Sequence, residues 1–167
     1  MSKANICVYG LAKQFTDDIA KELAKKLDVF YANFDKIFEF ELIDLDNVEK
    51  LCGKEYFAKK EHSLLKRLCS YDNTLININY ALLNVEKNLK VLKDNNLIIY
   101  LRLAKDRFLM EIDNDNLTKT AKELNIDMFE DRDNICLSHA DIVVECQNLG
   151  QMDVLDQIIV ELLKYYE

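Results

Sequence analysis

The chain has 167 residues, half of them hydrophobic, with three glycines, no proline and no tryptophan. That size supports one packed core and rules out proline-rich linkers or a collagen-like repeat. Acidic residues outnumber basic ones by 30 to 22, giving a net charge of −8, which argues against non-specific nucleic-acid binding through phosphate neutralisation.

In chain order, Asn5–Tyr9 (NICVY) is a short apolar run ending at Gly10 and reads as a buried first strand. Asp17–Leu27 follows as a helix, with Ile19, Ala20, Leu23, Ala24 and Leu27 on one face. Val29–Tyr31 reads as a second strand and Phe34–Phe40 as a helix. Asp44–Leu51 and Lys54–Cys69 read as helices separated by Gly53. Thr74–Ile78 is a strand, Val85–Leu92 a helix and Leu97–Leu103 a strand. Lys105–Ile112 is helical, Asp113–Asn116 is a polar break, and Leu117–Leu124 and Phe129–Leu137 are helices. Ile142–Val144 is the last strand and Val154–Tyr165 the closing helix. Short apolar strands alternating with helices predict a three-layer α/β/α fold around a five-stranded parallel sheet. With no linker-like or repeated segment, residues 1–167 are expected to form one domain.

The five cysteines (Cys7, Cys52, Cys69, Cys136 and Cys146) include no C-x-x-C pair, and no signal peptide is expected before them. They are expected to be small apolar side chains in a reducing cytoplasm. His62 and His139 have no ligand spacing with any cysteine, so no metal site is expected. No apolar run is long enough to cross a membrane.

Gly10, Gly53 and Gly150 stand far apart, although phosphate-cradling loops concentrate glycine because it bares backbone N–H groups. The order strand, Gly, loop, helix nevertheless resembles the P-loop kinases, and the shikimate kinase family in particular. Asn5–Gly10 with Ile19–Leu27 resembles that family's first strand and P-loop helix. Gly53–Leu68 (GKEYFAKKEHSLLKRL) resembles its G-x-x-x-F-R-x-x-E stretch, and Leu97–Leu101 its fourth strand. Arg132–Ile142 (RDNICLSHADI) resembles its late R-x-P-L-Y-x-x-x-A-D segment. The resemblance runs nearly end to end and implies the P-loop kinase topology.

The same resemblance shows the functional positions altered. Where the family has G-x-x-G-x-G-K-[ST], this chain reads Gly10-Leu11-Ala12-Lys13-Gln14-Phe15-Thr16-Asp17. Lys13 and Phe15 stand at motif glycines, Thr16 at the phosphate-gripping lysine and Asp17 at the magnesium-holding hydroxyl. Ala32-Asn33-Phe34 replaces the D-x-D that contacts the shikimate hydroxyls, and Ala58 replaces the arginine that holds its carboxylate. Lys59 and Lys60 follow Ala58 as weak substitutes, and Arg132 matches the late substrate-binding arginine. The glycines after the third strand are absent from Asn77–Tyr80, and Asn114–Leu117 lacks the lid arginine.

The local reading makes Thr16 an N-cap, with Asp17 and Asp18 filling the helix's own anion site. A triphosphate there would meet about 1 kcal/mol of repulsion per charge pair at about 4 Å in water. The expectation is therefore a pseudoenzyme with no catalytic residues and no cofactor, acting as a regulatory or interaction module. Its partner would be an unknown protein or a second copy, not nucleic acid or membrane. The alternative is an active small-molecule kinase, or a shikimate kinase with a non-standard nucleotide site, using ATP and magnesium. A third expectation concerns Tyr9, Phe15, Phe34, Phe38 and Phe40, which either pack the former cleft or form an exposed patch.

Overall fold

The computed structural model describes residues 5–42, 45–147 and 149–167. Five parallel strands form one sheet in the order β2-β3-β1-β4-β5. They are β1 (Asn5–Tyr9), β2 (Phe30–Asn33), β3 (Thr74–Asn77), β4 (Asn96–Arg102) and β5 (Ile142–Glu145). Among the described residues the helices are α1 (Lys13–Leu27), α2 (Phe34–Leu42), α3 (Leu45–Cys69), α4 (Glu86–Asn95), α5 (Lys105–Glu111), α6 (Lys119–Asp127), α7 (Phe129–His139) and α8 (Gln151–Tyr166). None of them is long and apolar enough to cross a membrane.

The alternation of β1 divides the core. Ile6 and Val8 face one layer, where they meet Ile19 and Leu23 of α1, Phe108 of α5 and Ile158 of α8. Cys7 and Tyr9 face the other, with Phe34 and Phe38 of α2, Leu64 and Leu65 of α3, Leu92 of α4 and Cys136 of α7. Strands buried on both faces must be apolar throughout, which is why NICVY and LIIYL carry no alternating polar residue.

Strand order reverses beside β1, since β3 lies on one flank and β4 on the other. In such sheets the crevice at the carboxyl ends of the strands is the natural ligand position. Gly10, Asn33 and Asn77 stand at or just beyond those ends.

Predicted and observed elements agree in kind and order, with ends displaced by a few residues. The largest displacement is functional. α1 begins at Lys13, one turn earlier than predicted, with Ala12 at its N-cap position. The predicted Asp44–Leu51 helix is observed from Leu45, and Asp44 lies outside the described residues. Gly53 breaks α3 as expected, at φ 83° and ψ 162°, a backbone region that side chains disfavour.

Of the five aromatics expected around the crevice, Tyr9, Phe15, Phe34 and Phe38 are buried core residues. Phe40 instead projects into solvent at 84% exposure. They do not make one exposed patch.

Cys7, Cys69, Cys136 and Cys146 are buried and Cys52 is exposed, all as free thiols. Burial, reinforced by Asp133, pushes the Cys136 thiol up to about 12, and burial with Glu145 does the same for Cys146. Burial also raises Cys7 and Cys69. Since the thiolate is the reactive form, a disulfide reagent at mildly alkaline pH is expected to modify Cys52 rapidly in the native protein. The other four should react only on unfolding, which a time-resolved thiol count with and without denaturant checks.

Candidate functional site

A cleft of about 460 Å³ opens at the carboxyl end of the sheet. Its walls come from the β1–α1 junction (Gly10, Lys13, Thr16, Asp17), the β2–α2 junction (Asn33, Asp35, Lys36) and the segment after β3 (Asn77–Ala81). Asn114–Leu117 and Arg132 complete it.

The β1–α1 junction contains no phosphate-wrapping loop. Lys13, Gln14, Phe15 and Thr16 form the first turn of α1, and the Thr16 amide donates to the Ala12 carbonyl at 3.0 Å. The Thr16 hydroxyl turns back to the same carbonyl at 2.8 Å. It also crowds Gly10, where a Cβ would overlap the hydroxyl and stand 3.2 Å from the Leu101 carbonyl oxygen. Gly10 is therefore required by close approach. Phe15 is buried, with the Arg107 guanidinium 5.5 Å from its ring centre.

Thr16 thus lies within the helix and does not cap it, which corrects the sequence reading. The group on the helix N-terminus is also different from the one expected. Asp115 accepts from the Lys13 amide through Oδ2 and from the Gln14 amide through Oδ1, both at 2.9 Å. The first N–H groups of a helix have no intrahelical acceptor, and its dipole favours an anion there. With glycine absent and an acid supplied by a distant segment, winding one more helical turn satisfies those amides.

Asp17 looks the other way. It is buried and accepts from Asn33 at 2.8 Å, from the Tyr31 hydroxyl, from Lys36 at 2.9 Å and from Lys21 at 2.8 Å. Asn77 adds longer contacts to Tyr31 at 3.3 Å and to Asp17 at 3.5 Å. Burial raises the Asp17 carboxyl, but the hydrogen bonds from Lys21, Tyr31, Lys36 and Asn33 outweigh it and hold the group well below the usual carboxylate range. Two lysine ammoniums neutralise the acid at the position where the family resemblance places a metal-holding hydroxyl.

The remaining cations are also engaged. Lys13 pairs with Asp35 at 3.1 Å. Arg132 donates to Asn125 and lies 5.3 Å from the centre of the Tyr80 ring. Arg107 pairs with Glu111 at 2.8 Å. Lys59 and Lys60 are exposed on α3 and do not line the cleft, and Lys60 stands 5.5 Å from the Tyr56 ring centre. Of the residues singled out from sequence, the fold therefore gathers Gly10, Lys13, Thr16, Asp17 and Arg132 around one cleft. It leaves Phe15, Lys59 and Lys60 outside.

A smaller recess of about 260 Å³ adjoins the cleft, lined by Phe34, Phe38 and Phe57 with Asp35, Glu39 and Glu61. Burial, and then the Asp35 charge, raises the Glu61 carboxyl. Sequence reasoning missed Tyr31, Lys36 and Asp115. The first two are separated from Asp17 by the rest of α1 and the turn after it, and Asp115 lies about a hundred residues away, so no local spacing marks them.

The groups present do not fit a nucleoside triphosphate with its magnesium ion. The N-terminal amides of α1 hold a carboxylate, no lysine occupies position 16, and Asp17 is already saturated by ammonium and amide donors.

Solved structures of shikimate kinases share this fold. The shikimate kinase from Acinetobacter baumannii in complex with shikimate superposes with a TM-score of 0.82 at 17% identity, covering 98% of this chain and 95% of that one. The shikimate kinase from Aquifex aeolicus gives 0.75 at 21% identity, covering 97% and 98%. In sequence, the shikimate kinase of Dehalococcoides mccartyi is 25% identical over 98% of this chain and 96% of its own length. The shikimate kinase of Coxiella burnetii is 23% identical over 97% and 95%. The shikimate kinase family profile matches residues 17–163, and the chain belongs to that family.

Proposed function

We propose that this chain is a cytoplasmic member of the shikimate kinase family that does not carry out ATP-dependent phosphoryl transfer. It acts through its folded surface as a regulatory or protein-interaction module, with a protein partner or a second copy of itself. The observation that carries this reading is the β1–α1 junction, where residues 13–16 are wound into α1 and its first amides are held by Asp115. Phosphoryl transfer depends almost wholly on positioning the phosphates and neutralising their charge. Here a carboxylate stands where the phosphates would need donors, and Lys21 and Lys36 are committed to Asp17.

A second reading has its own support. Relatives aligned over nearly the whole chain are shikimate kinases, and Arg132 remains in the cleft. On that reading the protein phosphorylates shikimate from a non-standard nucleotide site. Calorimetric titration separates the two. The first predicts no saturable heat for Mg-ATP, with or without shikimate. Saturable binding of both ligands, with turnover, would favour the second and overturn the first.

A further inference from the structure

We propose that the recess beside the main cleft binds a small organic ammonium ion, held between the phenyl rings of Phe38 and Phe57 and the carboxylates of Glu39 and Glu61. The proposal rests on the reading above, since an active shikimate kinase must admit a carboxylate-bearing substrate to the cleft that this recess adjoins.

The walls supply the two features that an organic cation needs. The first is aromatic. Phe34 and Phe38 of α2 stack with ring centres 5.7 Å apart, and Phe57 of α3 meets Phe38 at 5.1 Å and 82°. Rings set at right angles make a corner, and the negative face of a phenyl ring attracts an ammonium centre within about 6 Å. Apolar walls alone would suit a neutral ligand, so the second feature sets the sign. Asp35, Glu39 and Glu61 line the same space of about 260 Å³, against one cation among the described residues, Lys13. Lys13 is committed to Asp35 at 3.1 Å. Glu39 and Glu61 have no hydrogen-bond or ion-pair partner among the described residues. Glu61 is half-buried, and burial together with the Asp35 charge raises its carboxyl, against a smaller lowering by Lys87 of α4. An incoming cation restores the charge balance that such a carboxylate lacks.

The neighbouring positions work against an anion. Ala58 adds no charge beside Phe57, Lys59 and Lys60 are exposed on α3, and Arg132 lines the main cleft but not the recess. A carboxylate entering here would meet Glu39 and Glu61 with no uncommitted cation to offset them. The net charge of −8 also draws cations to the surface. An ammonium group already rests where the two spaces join, because Lys13 and Asp35 line both. The volume is below that of pockets for drug-sized molecules, which suits a small ion.

The test titrates the full chain with choline and, separately, with the uncharged isostere in which carbon replaces the nitrogen. Calorimetry at low ionic strength gives the affinities, and proton NMR of the phenylalanine rings follows the same titrations. Choline is expected to saturate at millimolar concentration and to bind about tenfold tighter than the isostere, the margin set by attraction to the rings and carboxylates. Glu61→Gln keeps the shape without the charge and should weaken choline about tenfold while leaving the isostere unchanged. Phe57→Leu keeps an apolar wall without a ring face and should weaken choline several-fold. Both positions are half-buried, and melting curves confirm that the variants are folded. Equal binding of choline and isostere, or no saturation by choline, would overturn the proposal. Unaltered choline affinity in both variants would do the same, since choline would then sit elsewhere. Binding of Mg-ATP by the wild type would count against the proposed function, while the ratio of choline to isostere judges the recess alone.

Discussion

Replacing Asp17 by alanine lowers the stability of the folded protein by about 2–4 kcal/mol, below the roughly 3–5 kcal/mol expected when a fully buried pair is broken. The discount comes from its cationic partners. The Asp17 side chain is 5% exposed, but those of Lys21 and Lys36 are 43% and 61% exposed and can rehydrate once released. What cannot recover so easily is the amide and phenol cluster, in which Tyr31 and Asn33 lose their shared acceptor and Asn77 its longer contact. The pH dependence has a definite sign. A carboxyl held low in the folded state stabilises above its unfolded pKa of about 4 and loses that contribution as pH falls toward its folded value. The stability gap between wild type and Asp17→Asn should therefore be full near neutrality and shrink below about pH 4. Urea unfolding of both proteins across acidic and neutral buffers measures it.

The second large effect is expected at Asp133 of α7, next in sequence to the cleft-lining Arg132. This buried carboxylate accepts from the Tyr100 hydroxyl at 2.7 Å and from Arg102 through Nε at 3.1 and 3.2 Å and through Nη2 at 2.9 Å. Tyr100 stacks on Tyr9 at 5.3 Å, and the Tyr9 hydroxyl donates to the Cys136 carbonyl at 2.6 Å. The two tyrosines and Arg102 thereby fix α7 against the strand ends. Arg132 is the residue beside Asp133, so its place in the cleft depends on this clamp. Asp133→Ala leaves the Tyr100 hydroxyl without its acceptor, and Arg102 falls back on Glu145 at 2.9 Å. Because Arg102 is partly exposed and keeps that second partner, the expected loss is about 2–3 kcal/mol. Equilibrium denaturation gives the value. Burial, followed by the bond to Asp133, holds the Tyr100 phenol well above its ordinary range, so it stays protonated in the native state and ionises only on unfolding. Alkaline spectrophotometric titration reads that directly.

The fold was legible because its information is local. NICVY, LIIYL and the helix face from Ile19 to Leu27 each declare their burial within a few residues. That residues 11–17 hold no glycine and that Thr16 is not a lysine are likewise local facts of the sequence. The sequence reading did infer that the chain's own acids fill the α1 anion site, but it named the wrong acids. Asp17 and Asp18 are near α1's start in sequence, yet Asp17 turns inward to Tyr31, Asn33 and Lys36, and Asp18 accepts from Gln14 at 2.8 Å. Asp115 reads as one member of a polar break, and only the packing of the 112–118 segment beside α1 brings it to the helix. Lys59 and Lys60 were candidates by adjacency to Ala58, but a helix turns successive residues by about a quarter of a circle or more, which carries them to solvent. Contacts between distant segments leave no spacing to read, and this site is built largely from such contacts.

The most direct test of the central claim is phosphorus NMR of Mg-ATP and shikimate incubated with stoichiometric protein. If the chain's own groups occupy the phosphate end of the cleft, the γ-phosphate signal decays no faster than in a protein-free control and no phosphorylated shikimate forms. Stoichiometric appearance of phosphorylated shikimate, dependent on the protein, would contradict the account.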